Sequence, residues 1–168
     1  MDNYERDKKQ AIKALSKIKA DIPFGDELFR AISRLSIGVP LEAVVFRRKK
    51  NEIYVLLVRR AKDDPAYPGA WHVPGTFLRP SETQDTAIKR LGKKELGCEL
   101  KISRQVGWDD NLYENRGHCI HLIFLVKIRE SIKNGRWFPV KKLPPEILDH
   151  HKNVVIPKAL KTYKATKK

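Results

Sequence analysis

Hydrophobic and polar positions follow a helical period at the start of the chain and a strand-like pattern after residue 40. Apolar side chains recur at helical spacing between lysines, which predicts helices over residues 4–20 and 26–35. Ile22-Pro23 separates them, because proline lacks an amide proton and restricts the residue before it. We therefore expect an N-terminal helical extension over residues 1–37, which acts as a decoration, a lid or a contact between two copies in a homodimer.

Runs rich in β-branched residues begin beyond residue 40. Residues 43–46 and 53–58 are joined by a polar stretch and predict a hairpin with a buried second strand. Proline and glycine mark residues 63–69 as a loop, and residues 71–75 read as a short strand ending in a turn.

The signals of one helix interrupt the strands over residues 81–96. Ser81 or Thr83 can cap its N-terminus, and Gly97 follows its last turn. Further strands are predicted at 101–108, 118–127 and 135–140, and a final helical region begins after Leu143. The order of elements predicts an α+β sandwich over residues 38–168.

Length and composition fit one globular domain of 168 residues, of which 41% are hydrophobic. The longest apolar runs, such as residues 120–126, are too short to cross a bilayer, and the charged N-terminus does not resemble a signal peptide. We expect a cytoplasmic protein without a membrane partner. Cys98 and Cys119 form no metal-binding CxxC pair and are expected to be small buried residues.

The formal charge of +15 is the unusual bulk property. Such an excess attracts anions, including nucleotides, nucleic acid and acidic surfaces, whereas a solvated lysine-rich surface is the alternative explanation. A basic cluster near the C-terminus can attract nucleic acid weakly without specifying a function: Lys158, Lys161, Lys164, Lys167 and Lys168.

The stretch VPGTFLRPSETQDTAIKRLGKKELGC, residues 73–98, carries the chemistry. A Pro-Gly turn leads through a loop to a helix that bears Arg90 and Glu95. A carboxylate beside exposed carbonyls offers the hard oxygen ligands that Mg²⁺ prefers, and nearby cations can neutralise phosphates. Metal and cations together would stabilise charge on a leaving diphosphate.

This spacing resembles the Nudix box, G-x5-E-x7-R-E-U-x-E-E-x-G-U, where U is aliphatic. Glu82, Arg90, Glu95 and Gly97 fall on its first Glu, Arg, last Glu and Gly without a gap. The resemblance implies an α/β/α sandwich with a mixed central sheet and the hydrolysis of a nucleoside diphosphate-linked small molecule.

Three positions depart from the box. Its opening Gly is Thr76, the Glu after the Arg is Leu91, and the first of the paired glutamates is Lys94. Two carboxylates that commonly bind metal or act as a base are therefore missing, which argues against a pyrophosphohydrolase that uses several metal ions. Lys94 is either solvated or a direct ligand of phosphate.

The sequence RLGKKELG, residues 90–97, looks like the variant helix of GDP-mannose mannosyl hydrolases. That branch implies a single Mg²⁺, with Mn²⁺ as the alternative, held by Glu95 and the carbonyl of Gly75. Arg60 would face phosphate. Glu82 would brace Arg90, whose role is then structural, with a direct catalytic role as the alternative.

The branch's later metal ligand and its general base are absent, since their positions hold Lys133 and Ile132. Its Arg after the turn is Phe77, which becomes a candidate substrate contact. His121 is a candidate replacement base, because histidine titrates near neutrality. His118, three residues away on the same predicted strand, should face the opposite side.

Several other polar and aromatic residues are candidates for contact with the metal or the base. Trp108 can stack on a nucleobase, as can Tyr67 and Tyr113. His72 can contact a base or solvent, and residues 150–151, two adjacent histidines, are expected at the surface. An expected loop that could approach the metal carries Asp109, Asp110 and Glu114.

Two functions remain open at this point. The first is a Mg²⁺-dependent hydrolase of a nucleoside diphosphate derivative, with a GDP-mannose-like nucleotide sugar as the leading substrate class. The second is a domain with weak or no turnover that binds nucleotide or RNA.

Overall fold

The computed structural model describes residues 2–20 and 22–166. Four α-helices are present in this part of the chain: α1 (Asn3–Leu15), α2 (Gly25–Ser33), α3 (Gln84–Leu91) and α4 (Ile156–Ala165). The strands are β1 (Pro40–Val44), β2 (Phe46–Lys49), β3 (Glu52–Arg59), β4 (Trp71–His72), β5 (Gly75–Phe77), β6 (Leu100–Asn111), β7 (Cys119–Ile128) and β8 (Arg136–Pro139). The expected helices and strands are found with shifted ends, but the predicted hairpin is corrected. The partner of β3 is β2, which lies mostly in the polar stretch expected to join the two strands, whereas β1 pairs with β5 and β7.

The strands form two small sheets. In the first, the order is β5-β1-β7-β6, and β1 is parallel to β7 but antiparallel to β5, so this sheet is mixed. In the second, β3 pairs antiparallel with β2, β4 and β8. The chain passes from one sheet to the other at Val45, whose carbonyl accepts a hydrogen bond of 3.1 Å from the Leu56 amide.

Both faces of the central strands are buried. Leu41 and Ala43 of β1 pack in one cluster with Ile88 of α3, whereas Val44 packs in a second cluster with Ile156 of α4. Strands covered on both sides have continuous apolar runs, as the sequence shows at residues 43–46 and 53–58. The predicted α+β class and α/β/α sandwich are confirmed.

The helix predicted over residues 81–96 begins later and changes geometry before it ends. Thr83 is the N-cap, and its hydroxyl and that of Thr86 form a capping box, whereas Ser81 has φ 60 and lies outside the helix. After α3 the chain widens into a π-helical segment, Gly92–Leu96, which ends at Gly97 with φ 65. A second π-helical segment, His151–Val155, precedes α4. Such segments often occur at functional sites.

The prediction of a loop at Asp109 and Asp110 is wrong. Both residues belong to β6, which continues to Asn111 because it pairs with the start of β7 through Asp109–His121 and Asp110–Ile120. Glu114 lies beyond the strand, in the connection between β6 and β7.

The two N-terminal helices lie on the outside of the sandwich. Neither α1 nor α2 contains a buried residue, and α2 touches the domain through an edge-on contact of Phe29 with Phe77 at 4.9 Å. The division into residues 1–37 and 38–168 stays a prediction. In the described part of the chain no helix is long and apolar enough to cross a membrane. Lys167 and Lys168 of the basic C-terminal cluster lie outside the described residues.

Candidate functional site

A buried glutamate on the central strand β1 organises the site. Glu42 is 4% exposed, and its Oε1 lies 2.9 Å from Nδ1 of His121 on the neighbouring strand β7. Its Oε2 lies 3.7 Å from Nε2 of His151. The amide of Val73 donates to Nδ1 of His151 at 2.8 Å, so the proton of this imidazole is on Nε2 and faces Glu42. The carboxylate of Glu42 therefore lies between the imidazoles of His121 and His151.

The charge states in this cluster follow from burial and from these contacts. Burial opposes ionisation of Glu42, but His151 and the hydrogen bond from His121 outweigh it and lower the pKa of Glu42 from 4.5 to about 2. Burial lowers the pKa of His151 to about 4. At neutral pH the cluster therefore holds an ionised Glu42 beside a neutral His151.

Glu95 reaches the same region from the π-helical segment after α3. Burial, with the nearby charge of Glu42, raises the pKa of Glu95 from 4.5 to about 7, against the opposing effects of Arg60, Lys94 and a hydrogen bond from the Gly75 backbone. A Cβ atom at Gly75 would lie 2.7 Å from Oε2 of Glu42. Glycine is therefore required where the two carboxyl groups approach the turn.

Two carboxylate oxygens at this turn lack a hydrogen-bond partner. Oε2 of Glu42 and Oε2 of Glu95 are both buried and accept no hydrogen bond, and Nε2 of His151 lies 3.7 Å from the first, beyond hydrogen-bond distance. Buried polar atoms almost always have hydrogen-bond partners. Two carboxyl groups in one buried place repel each other unless a cation or a proton lies between them. The pair, with the carbonyl of Gly75, offers hard oxygen ligands suited to Mg²⁺, which usually takes one or two carboxylates and keeps several waters.

No group of three or more His, Cys, Asp or Glu side chains within residues 2–20 and 22–166 has the arrangement of a metal site. An ion at the Gly75 turn would therefore need backbone oxygen, water or substrate oxygens to complete its shell. This requirement fits Mg²⁺ better than Zn²⁺, which takes a closed set of protein ligands in structural sites.

Arg60 and Lys94 supply positive charge beside Glu95. Arg60 donates from Nη1 to Asp64 at 2.9 Å, while its buried Nε has no partner. Lys94 is exposed, and its charge lowers the pKa of Glu95 without forming an ion pair with it. Arg60 thus has a donor available in the site, and Lys94 lies at its border.

Arg90 ties the helix to the loop before it. Its Nε and Nη2 donate to the two oxygens of Glu82 at 2.7 and 2.8 Å. Nη1 donates to Thr76 Oγ1 at 2.8 Å, and Nη2 also donates to the Phe77 carbonyl at 3.0 Å. Every nitrogen of the guanidinium is engaged in the structure, which favours a positioning role over a catalytic one.

A cavity of about 470 Å³ opens beside the glutamate cluster, and His121, His150 and His151 contribute to its lining. Nε2 of His121 is buried and has no partner, so a neutral imidazole that donates to Glu42 from Nδ1 keeps an unused acceptor here. Three carboxylates also line this cavity, against a single arginine, Arg116: Glu114, Glu146 and Asp149. An anionic ligand would therefore need a cation to enter.

The remaining substrate candidates lie in different places. Phe77 packs under the guanidinium of Arg116 at 5.1 Å, and this guanidinium also lies 5.7 Å from the ring of Tyr67, which lines the cavity. Trp108 is 62% exposed and is not among the residues lining the cavity. Phe77 therefore contacts Arg116, which lines the cavity, whereas Trp108 does not line it.

Two predictions about histidines are wrong. His151 was expected at the surface but is 5% exposed, because the π-helical segment turns it inward onto Glu42. His72 is 4% exposed and therefore does not face solvent, and burial lowers its pKa from 6.5 to about 3. His150 is half-buried, and its Nε2 lies 3.0 Å from Asp109 Oδ2.

Glu42 was missed in the sequence. The feature that could have identified it is that Glu42 is the only charged residue in the apolar stretch of residues 41–46. A carboxylate in the middle of a strand that is buried on both faces has to be paired or functional. His118, in contrast, faces away from the cluster and pairs with Asp110 at 2.6 Å, in agreement with the predicted alternation.

Comparisons with known proteins place the chain in a family. The model of the NUDIX domain matches residues 41–159. An ADP-ribose pyrophosphatase of Methanocaldococcus jannaschii is 30% identical over 112 residues, which cover 62% of this chain and 64% of that protein. The nucleoside triphosphatase NudI of Escherichia coli K12 is 28% identical over 129 residues, which cover 67% of this chain and 89% of the relative.

Among solved structures, a MutT NUDIX hydrolase of Burkholderia pseudomallei superposes with a TM-score of 0.60 at 20% identity. It covers 73% of this chain and 98% of its own. At this identity the likeness concerns the fold. Since the family model matches well over half of the chain and includes Glu42, Gly75, Glu95 and His151 in its range, the protein belongs to the Nudix hydrolase family.

Proposed function

We propose that the protein hydrolyses a nucleoside diphosphate linked to a sugar, with one divalent cation bound at the Gly75 turn. The observation that carries the proposal is the pair of buried, unpaired carboxylate oxygens on Glu42 and Glu95. The acidic lining of the adjacent cavity adds to it, because a diphosphate cannot enter such a cavity without a neutralising cation.

Glu42, Glu95 and the Gly75 carbonyl would hold the ion, Mg²⁺ or alternatively Mn²⁺. When bound, the ion supplies positive charge to the diphosphate and stabilises the charge that develops on the leaving group. Burial, together with the charge of Glu42, raises the pKa of Glu95 to about 7, so a cation at this turn would also favour the ionised form of Glu95.

The chain's own side chains divide the remaining tasks. The free Nε of Arg60 is available to a phosphate oxygen. Glu42 fixes His121 with its Nδ1 proton directed to the carboxylate and its Nε2 directed to the cavity side. His121 can therefore accept a proton from an attacking water at Nε2, while the ionised Glu42 stabilises the imidazolium.

The substrate class rests on two arguments that converge on one chemistry. Residues 90–97 look like the helix of GDP-mannose mannosyl hydrolases. The archaeal relative is named as an ADP-ribose pyrophosphatase. Both substrates are a nucleoside diphosphate joined to a sugar, and we take the GDP-mannose-like nucleotide sugar as the first candidate.

The test is incubation of the purified protein with Mg²⁺ and a panel containing GDP-mannose, ADP-ribose and nucleoside triphosphates, in water enriched in ¹⁸O. Label in the free sugar would locate the attack on the sugar carbon, and label in a phosphate would locate it on phosphorus. Glu95→Gln should be inactive, and Glu27→Gln, a change on the exposed helix α2, should behave as the parent. No product at high protein loading, with Glu95→Gln equally silent, would overturn the hydrolase proposal.

A second candidate is a domain that binds nucleotide or RNA with weak or no turnover. The exposed Lys94, at a box position where the family has a glutamate, favours it. Saturable nucleotide binding in the presence of Mg²⁺, without product anywhere in the panel, would support this candidate over the hydrolase.

A further inference from the structure

A second cavity, of about 930 Å³, lies at the far end of β7 from His121. The last residues of this strand line it, together with Arg47 of β2 and Trp137 of β8. The separation along the strand from His121 to Lys127 is about 20 Å, since a strand rises about 3.3 Å per residue. This cavity is therefore separate from the glutamate cluster.

A third cavity, of about 740 Å³, lies on the other face of the same strand β2. Arg47 lines the first of the two and Arg48 the second, as expected from the alternation of side chains along a strand. β2 is an edge strand of its sheet, with β3 as its neighbour. The last turns of α4 contribute Tyr163 to one cavity and Lys164 to the other. We call the surface formed by these two cavities, on both sides of β2, the β2 face.

The β2 face is strongly cationic. Eight lysines and arginines line its two cavities, against two carboxylates, Glu52 and Glu130. Within the described part of the chain none of these eight cations forms an ion pair. Unpaired cations at this density attract polyanions and release counterions when they bind one.

The placement of the charge distinguishes this face from the hydrolytic site. Three carboxylates and one arginine line the cavity beside His121, so the cationic surplus is not gathered around the proposed diphosphate. Edge strands often carry lysine to prevent pairing with other strands, and this accounts for cations on β2 itself. It does not account for Arg104 and Lys127, which belong to the other sheet and line the same cavity.

Aromatic rings lie between these cations. The guanidinium of Arg47 is 4.2 Å from the ring of Trp137 and 5.6 Å from that of Tyr54. Tyr163 packs against Phe46 with ring centroids 5.1 Å apart, in the same cavity. Flat rings and a flat guanidinium beside a row of cations provide stacking surfaces for bases and contacts for phosphates, which is how single strands are bound without sequence preference.

We propose that the β2 face binds single-stranded nucleic acid, with phosphates paired by the cations of β2 and bases stacked on the layer of Arg47 and Trp137. The inference goes beyond the proposed hydrolysis and does not depend on it. The nucleotide sugar would occupy the cavity beside His121, and the nucleic acid would lie across the opposite end of the sandwich.

The test is a fluorescence anisotropy titration of the full chain with a labelled RNA strand of about 12 nucleotides, a length within the range of single-strand sites. The variant R47Q/R48Q/K49Q/K50Q removes four cations from the β2 face. The control variant R6Q/K13Q/K17Q/K19Q removes four exposed cations from the N-terminal part, with the same change in net charge. Circular dichroism melting checks that both variants fold.

We expect the β2 variant to lose at least about tenfold more affinity than the control, and its slope of log K against log salt to fall by about 3, since each phosphate contact contributes about 0.7. An abasic strand of equal length should bind at least about tenfold more weakly than the RNA, because stacking is lost. Equal losses in the two variants would overturn the inference, as would an abasic strand or inorganic polyphosphate that binds as tightly as the RNA. Hydrolysis by the β2 variant is measured separately and should match the parent.

Discussion

Nδ1 of His121 lies 2.9 Å from Oε1 of Glu42, and both side chains are almost completely buried. An ionised carboxylate accepts hydrogen bonds only, so Nδ1 carries the proton and Nε2 is left as an acceptor without a partner. One residue thus selects the tautomer of the other. This relation gives the imidazole a defined chemical function in the site.

The substitution His121→Asn separates this function from packing. The amide nitrogen of asparagine can take the place of Nδ1 and still donate to Glu42, but no group replaces Nε2. We expect kcat to fall by about 10²- to 10⁴-fold, the usual contribution of a general base, while Mg²⁺ affinity stays close to that of the parent.

The measurement is steady-state kinetics on the nucleotide sugar that the panel identifies, together with calorimetric titration of Mg²⁺. His118→Asn is the control, since this imidazole lies directly before β7 but pairs with Asp110. If His121→Asn retained the parent's kcat, the imidazole would not be the proton acceptor.

The raised pKa of Glu95 gives a pH dependence of stability in the absence of metal. Its pKa is about 7 in the folded chain, against 4.5 for an unperturbed glutamate. A carboxyl group whose folded pKa is raised contributes stability that is complete below pH 4.5 and is lost as the pH rises through about 7. The size is on the order of a few kcal/mol.

Chemical unfolding in EDTA at a series of pH values measures this effect. Burial of His72 and His151 raises the stability of both proteins as the pH rises over this range, so the comparison isolates Glu95. Between pH 4.5 and 7 the parent should lose stability relative to Glu95→Gln, which cannot ionise. Saturating Mg²⁺ should restore the parent at pH 7 but not the variant. Parallel curves for the two proteins in EDTA would mean that Glu95 does not carry the buried proton.

Much of the fold followed from the spacing of residues alone. The continuous apolar runs of the strands do lie between two helical layers. The resemblance to the Nudix box added the bracing pair of Glu82 and Arg90, which the structure contains. These features depend on local periodicity and on contacts close in sequence, which a single chain displays directly.

The composition of the site was harder to predict, because its members come from distant parts of the chain. Glu42 and His121 are 79 positions apart, and Val73 and His151 are 78 apart. Nothing in the spacing of residues 150–151 shows that a π-helical segment turns one histidine inward. Contacts between distant segments of the chain bring these residues together. In the sequence, only the charged Glu42 within an apolar strand indicated a site here.

Lys94 offers a test of how far the altered box limits the metal site. Lys94→Glu restores a carboxylate at the box position and removes a charge that lowers the pKa of Glu95. We expect tighter Mg²⁺ binding at pH 8, by about tenfold, since each added carboxylate near a hard cation contributes charge and a ligand. Lys93→Glu makes the same charge change at an exposed neighbouring position and is the control. An equal gain in both variants would point to general electrostatics instead.

Arg90 and Lys89 allow two neighbouring ion pairs of different burial to be compared. Arg90 meets Glu82 with side chains that are 23% and 14% exposed, whereas Lys89 meets Asp85 at 2.7 Å with side chains that are 47% and 53% exposed. Arg90→Lys keeps the charge but cannot reproduce the contacts to Glu82, Thr76 and the Phe77 carbonyl. We expect it to destabilise the fold by about 1–3 kcal/mol.

Lys89→Ala, by comparison, should leave the stability almost unchanged, because both side chains of its ion pair are exposed and screened by solvent. Urea unfolding measures both values. Because every guanidinium nitrogen of Arg90 donates to the loop beside Gly75, Arg90→Lys should also weaken Mg²⁺ binding, and high Mg²⁺ should recover most of its kcat. A variant of full stability whose kcat stays low at saturating Mg²⁺ would instead place Arg90 in direct contact with the reacting group.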